Sequence, residues 1–221
     1  LRRWDLAASS RPHVMLAISH FIRDKIKTYY GRDADVVYPP VNQKVFSYVV
    51  KDAPSPKAPG YYLAAGRLLH YKKFDLVLNA FRNLELPLKI VGTGRERNAL
   101  LRLVRGKSNV TFVPFVQDEE LRKLYTGARA FIFPQVEDFG LVAAEAQSCG
   151  VPVIAFRRGG ALEIVEDKKT GVFFDEQNVT SLIRAIQAAR DMQFNRQYIA
   201  KRAKGFSFAA FKQGLLSHIP K

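Results

Sequence analysis

The chain is poor in the features that mark several large protein classes. It has a single cysteine, Cys149, so no internal disulfide can form, and the composition fits a reducing compartment. No apolar run approaches the roughly 20 residues needed to cross a bilayer. The opening Leu1-Arg2-Arg3-Trp4-Asp5 lacks the apolar segment of a signal peptide and an initiator Met, so part of a longer protein is expected. Histidine stands only at 13, 20, 70 and 218, with no pairing that suggests a metal site. No Gly-x-Ser-x-Gly elbow or phosphate-binding Walker loop occurs, which removes the common hydrolase and P-loop readings. Acidic residues are also scarce.

That scarcity sets the charge. Thirty-five Lys and Arg against 20 Asp and Glu leave +15 over 221 residues, enough to attract polyanions. The basic residues are spread through ordered-looking segments and form no tail. Aromatic-rich single-strand signatures, zinc spacings and recognition-helix motifs are missing, so no nucleic-acid partner is expected. A phosphorylated substrate or an anionic membrane surface explains the charge at least as well as nucleic acid does, and a solvated basic face with no partner is the plain alternative. The expected location is cytoplasmic, and the charge adds the option of peripheral attachment to the inner face of the membrane.

Nearly half of the residues are apolar, enough for a core. Val14–Ile18 reads as a strand. Ser19 caps a helix from near Phe21 to Gly31, and Ala34–Tyr38 is a second strand. Residues 51–60 hold three prolines and a glycine, linker chemistry that marks a domain boundary. Beyond it, apolar strands alternate with amphipathic helices: strands at 61–65, 88–91, 110–113, 130–134, 151–156 and 171–174. Helices run near 73–84, 95–105, 118–125 (capped by Asp118), 143–147 (ended by Gly150), 179–190 and 195–204, with a short one at Glu163 after Gly159-Gly160 and a last one over 208–218. The pattern predicts an α/β fold, a Rossmann-like parallel sheet with helices on both faces. Such sheets bind ligands at the carboxyl ends of their strands. The expected organisation is a strand–helix–strand over 1–50, a linker, a binding domain over 61–205, and a C-terminal helix over 206–221.

The chemistry gathers at those strand ends. Glu137-Asp138-Phe139-Gly140-Leu141 leads into a helix carrying Glu145, so two carboxylates eight positions apart flank a glycine. The amides near Gly140 and Leu141 open the positive end of that helix. A loop carboxylate, an anion nest and an inward carboxylate suit a sugar, a phosphate and a polyol, the parts of a nucleotide-sugar. The bland reading is two surface glutamates, and neighbouring motifs weigh against it. The first sheet strand runs into Gly66 and Arg67, with Lys72 after them. Gly66 permits close approach of a ligand, and the two cations offer a planar fork and a point charge to a diphosphate. Gly92-Thr93-Gly94 ends the next strand as a weak G-x-G signal without the full dinucleotide fingerprint, so NAD is not inferred. Pro114-Phe115-Val116 can wall a nucleobase, although Phe115 on its own reads as packing. Gly159-Gly160 with Glu163 either shapes a pocket floor or makes a plain turn. His70, inside the phosphate loop, is open to substrate or to solvent.

Taken together, Gly66-Arg67-Leu68 with Lys72, Val91-Gly92-Thr93-Gly94, and Glu137 through Gly160 with Ala161-Leu162-Glu163 resemble a family-4, GT-B-fold retaining glycosyltransferase. The likeness is strongest to the mannosyltransferases of O-antigen and related polysaccharide biosynthesis. Upstream, Ala17-Ile18-Ser19-His20-Phe21 through Tyr38-Pro39-Pro40-Val41 resembles the end of that family's N-terminal acceptor domain. The resemblance implies a hexosyltransferase moving a sugar, expected to be mannose from GDP-mannose, to a glycan or lipid-linked acceptor. It implies no cofactor and no metal. By that likeness Arg67, Lys72 and Glu137 serve catalysis, the cations on the leaving diphosphate and Glu137 on the donor sugar. Gly66, Gly92, Gly94, Val116, Asp138, Phe139, Gly140, Leu141 and Glu145 line the donor, with Glu145 on the ribose. A UDP-sugar donor keeps the same fold, and a non-catalytic basic module for membrane or nucleic acid is the reading from another class. This chain is expected to bind donor nucleotide and to transfer sugar poorly, if at all, without the rest of the acceptor domain.

Overall fold

A computed structural model describes residues 2–50 and 60–219. The expected linker, apart from Gly60, lies outside the described residues. Helix α1 (Arg2–Ser9) precedes a small unit in which β1 (Leu16–Ala17) and β2 (Asp35–Val36) pair in parallel across helix α2 (His20–Tyr30). Both strands are shorter than their apolar runs suggest. Helix α2 starts and stops as expected: Ser19 Oγ accepts the Ile22 N–H at 3.0 Å, and Gly31 closes the helix in the left-handed conformation.

The six remaining strands are β3 (Tyr61–Ala65), β4 (Leu88–Val91), β5 (Val110–Val113), β6 (Ala128–Phe133), β7 (Val153–Phe156) and β8 (Gly171–Phe174). They form one all-parallel sheet in the order β5-β4-β3-β6-β7-β8. The first strand thus lies at the centre, and the winding reverses between β3 and β6. At such a reversal the two following connections leave toward opposite faces, and a crevice opens between the strands' carboxyl ends.

Period-two alternation divides the core in two. Leu63, Ala65, Phe131, Phe133, Val153 and Ala155 face one side with α5 (Asp118–Thr126), α6 (Leu141–Ser148) and α9 (Arg196–Ala203). Tyr62, Ala64, Ile90, Ile132 and Ile154 face the other with α3 (Phe74–Leu84), α4 (Arg97–Leu103) and α8 (Val179–Arg190). The short α7 (Ala161–Ile164) follows β7, and α10 (Phe208–Leu216) ends the described chain.

Two local expectations need correction. Asp118 does not cap α5: Gln117 holds that position without a side-chain bond, and Asp118, Glu119 and Glu120 fill the first turn. Three carboxylates there favour the helix through its dipole. Phe115 is 68% exposed rather than packed, because the β5 loop ends at the open edge of the sheet.

The small unit and the sheet meet through a shared stretch. Val41 and Phe46 belong to the core of the α6 face, and the Val41 N–H donates to Phe206 O at 2.8 Å. Gln43 Nε2 donates to Ala203 O at 2.9 Å. Helix α10 returns to β2, where His218 Nε2 lies 3.1 Å from Asp35 Oδ2.

Candidate functional site

The loops after β3 and β6 leave the sheet at the point of reversal, and there Lys72 Nζ forms an ion pair with Glu137 Oε1. Lys72 closes the 3₁₀ turn His70–Lys72, and its side chain is only 13% exposed against 22% for Glu137. The expected catalytic cation and carboxylate are therefore in direct contact. Arg67 stands exposed in the same β3 loop. An ammonium has three donors, so Lys72 can hold Glu137 and still serve an incoming anion.

The β4 loop props this one from behind. Gly66 N–H donates to Val91 O at 3.0 Å and Leu68 N–H to Thr93 O at 2.8 Å. Gly92 has φ +135°, and a Cβ there would lie 2.0 Å from Gly66 O. Gly94 backs onto Leu68 O in the same way, at 2.4 Å. Backbone packs on backbone where no side chain fits. The G-x-G pair thus fixes the position of the Arg67–Lys72 loop.

On the β6 side, Asp138 Oδ1 pairs with Lys25 Nζ of α2 at 3.2 Å. Phe139 is buried, stacked on Tyr38 with ring centres 5.6 Å apart and edge-on to Phe206 at 5.3 Å. Its side chain anchors the loop from below and does not line the crevice. Gly140 turns the chain into α6 with φ +104°, and a Cβ there would meet the Phe133 ring at 2.7 Å. It is an N-cap without a side chain. Among the described residues, the N–H groups of Gly140 and Leu141 have no carbonyl or side-chain partner. The positive end of α6 is therefore open, with Leu141 itself 42% exposed.

Glu145, on the second turn of α6, sits in a different environment. Burial pushes its carboxyl up to about 7, against the opposing pull of the Tyr125 hydroxyl and with a small addition from Asp118. Tyr125, fully buried on α5, donates to Glu145 Oε2 at 3.2 Å. Val116 is half-buried against the core, and Phe115 projects beside it at the rim. His70 is exposed.

Three contributors escaped the sequence reading. Lys25 and Tyr38 belong to the other unit, and their contacts here bridge more than a hundred positions, as with Lys25 and Asp138 113 apart. Tyr125 carried no local signal, because a tyrosine late in a helix reads as ordinary packing. Among the described residues, no group of three or more His, Cys, Asp or Glu gathers as a metal site. None of the described helices is long and apolar enough to cross a membrane.

A parallel sheet with this reversal, flanked by helices and carrying glycine-propped cationic loops and an open helix end, is a Rossmann-like α/β fold. The chain belongs to the glycosyl transferases group 1 family, whose model matches residues 48–206. It is 32% identical over 164 residues to O-antigen chain mannosyltransferase B of Escherichia coli, covering 67% of this chain and 42% of that protein. To the GDP-mannose-dependent alpha-(1-6)-phosphatidylinositol monomannoside mannosyltransferase of Mycolicibacterium smegmatis it is 34% identical over 136 residues, 54% of this chain and 36% of the other. Among solved structures it resembles HepE of Anabaena in complex with UDP and glucose, with a TM-score of 0.80 at 20% identity, over 99% of this chain and 67% of that one. That likeness supports the α/β fold of GT-B type. The chain spans about half the length, or less, of the curated relatives it matches.

Proposed function

We propose that this chain is the donor half of a family-4 retaining glycosyltransferase that moves mannose from GDP-mannose to a glycan or lipid-linked acceptor. The observation that carries the reading is the Lys72–Glu137 pair at the sheet's point of reversal, beside the open end of α6. In this reading the diphosphate lies between Arg67, Lys72 and the α6 amides. Glu137 faces the sugar, Asp138 stands at the edge, Glu145 accepts a ribose hydroxyl, and Phe115 with Val116 walls the base. The bond from the anomeric carbon to the diphosphate breaks as the acceptor oxygen bonds to that carbon on the same face. The acceptor proton leaves with the departing phosphate. Fixed cations and amides stabilise the charge that develops on the leaving group, the largest contribution this half makes. No metal or cofactor takes part in this scheme.

Mannose and GDP are favoured by the two mannosyltransferase relatives, one of which is named as GDP-mannose-dependent. The unit β1–α2–β2 is assigned to the acceptor half. The basic surface suits peripheral contact with an anionic membrane that carries a lipid-linked acceptor.

Isothermal titration of this chain with GDP, UDP and their sugar conjugates tests the reading. Nucleoside diphosphate should bind, GDP more tightly than UDP, and Arg67→Ala should weaken it at least tenfold, about 1.4 kcal/mol. A preference for UDP would replace the donor while keeping the site. Absence of binding to any diphosphate would remove the donor site itself.

A further inference from the structure

Glu163 has a role that its own loop does not explain. We propose that Glu163 is a positioning residue that clamps α2 to the β7–α7 turn and thereby fixes the loop bearing Glu137. The proposal rests on the reading of Glu137 as the sugar-facing carboxylate.

The Glu163 side chain is 8% exposed, and its hydrogen-bond donors come from the far end of the chain. Glu163 Oε2 accepts the His20 N–H at 3.0 Å and lies 2.9 Å from His20 Nδ1. Its Oε1 accepts the Phe21 N–H at 3.3 Å. The Tyr38 hydroxyl stands 3.3 Å from the same His20 nitrogen. Its phenol is pushed up to about 12, first by burial and next by the hydrogen bond to Glu163. Ser19 serves the Ile22 amide, so the first three N–H groups of α2 are all satisfied, two of them by a carboxylate from another element. A negative group at a helix's positive end is favourable, and a nearly buried one with several donors is held firmly.

From that clamp two routes lead to the 137–139 loop. One runs along α2, where Lys25, about one turn beyond Phe21, pairs with Asp138 at 3.2 Å. Tyr38 adds its stacking on Phe139. The other runs through the turn that opens α7. Gly160 N–H donates to Glu137 O at 2.9 Å, and a Cβ on Gly160 would stand 2.1 Å from Phe139 O. A Cβ on Gly159 would stand 2.5 Å from Glu137 O. The loop is thus gripped between α2 and the Gly159-Gly160 turn, and Glu163 is the bond that ties the two grips together.

The test compares Glu163→Gln, Glu137→Ala and the double variant. Glutamine keeps the shape but turns an amide donor toward groups that already donate. The expected result is that GDP or UDP affinity stays within about twofold, since Lys72 and the α6 amides remain in place. The extra affinity gained from the sugar of the nucleotide-sugar should fall about tenfold in Glu163→Gln. In the double variant it should fall no further than in Glu137→Ala, because contacts acting through one another are not additive. Full additivity, or an equal loss for diphosphate and nucleotide-sugar, would overturn the proposal and leave Glu163 a purely structural residue. Amide hydrogen exchange, which needs no ligand, separates this from the donor assignment. Glu163→Gln should speed exchange at least tenfold both at His20–Phe21 and across the 137–139 loop. Faster exchange at α2 with an unchanged loop would sink the coupling even if the donor site stands. If the unaltered chain binds no diphosphate, the donor reading fails, and the exchange result alone decides on the clamp.

Discussion

Glu137 and Glu145 are the same residue type on one short segment, and the fold treats them in opposite ways. Glu137 leaves β6 as a loop residue and meets the ammonium of Lys72 across the gap to the β3 loop. Glu145 enters α6, is buried against α5, and finds the Tyr125 hydroxyl with no cation among the partners that shape its pKa. One carboxylate is held as half of an ion pair. The other takes up a proton near neutral pH because desolvation outweighs a single neutral donor. Two glutamates in one motif therefore sit in opposite surroundings, one paired with a cation and one beside a neutral hydroxyl.

Removing the cation attacks the Glu137 side of this contrast. Lys72→Met leaves Glu137 mostly buried and unpaired, which should cost about 3 kcal/mol in chemical denaturation. It should also weaken nucleoside diphosphate binding about a hundredfold in calorimetry. Unchanged stability and affinity together would mean that the pair holds nothing.

The Glu145 side is tested by pH. The Glu145 pKa is raised from 4.5 to about 7, so the folded chain holds this proton more tightly than the unfolded one. Below pH 4.5 both states are protonated and burial carries no charge penalty. As pH rises through 7 that advantage is lost, and at pH 9 the ionised group costs the folded state about 3 kcal/mol. Glu145→Gln should then match the parent near pH 4 and exceed it by about that amount at pH 9, read from denaturation midpoints. A difference that does not vary with pH would show Glu145 to be solvated like any surface acid.

The smallest effect sharpens the comparison. Tyr125→Phe removes the hydroxyl donor and should cost about 1 kcal/mol, more above pH 7 where its acceptor is charged. Equal cost at pH 5 and pH 9 would argue that the phenol and the carboxyl are not coupled.

Much of this arrangement was legible in the residues. Short apolar runs alternating with amphipathic helices announced the parallel sheet, and its strand ends announced where Lys72 and Glu137 would be found. Gly140 before a run of helix formers marked the start of α6. What stayed hidden depended on distance or on the edge of the sheet. The ligands of Glu163 lie 143 and 142 positions upstream, beyond any local pattern. Phe115 reads as core because an aromatic between Pro114 and Val116 gives no hint that its strand is the outermost. Phe139, which looked like a crevice residue, turns inward because Tyr38 and Phe206 offer it a ring on each side. Asp118 reads as a cap because a charge inside the first turn and a side chain one position earlier stabilise a helix start equally well.

The bond between Val41 and Phe206 has a consequence for how the protein is made. The stretch around Val41 is synthesised well before Phe206, which covers it. Until Phe206 emerges, Val41 and Phe46 have no finished core to enter, so the α6 face cannot be sealed before that residue is made.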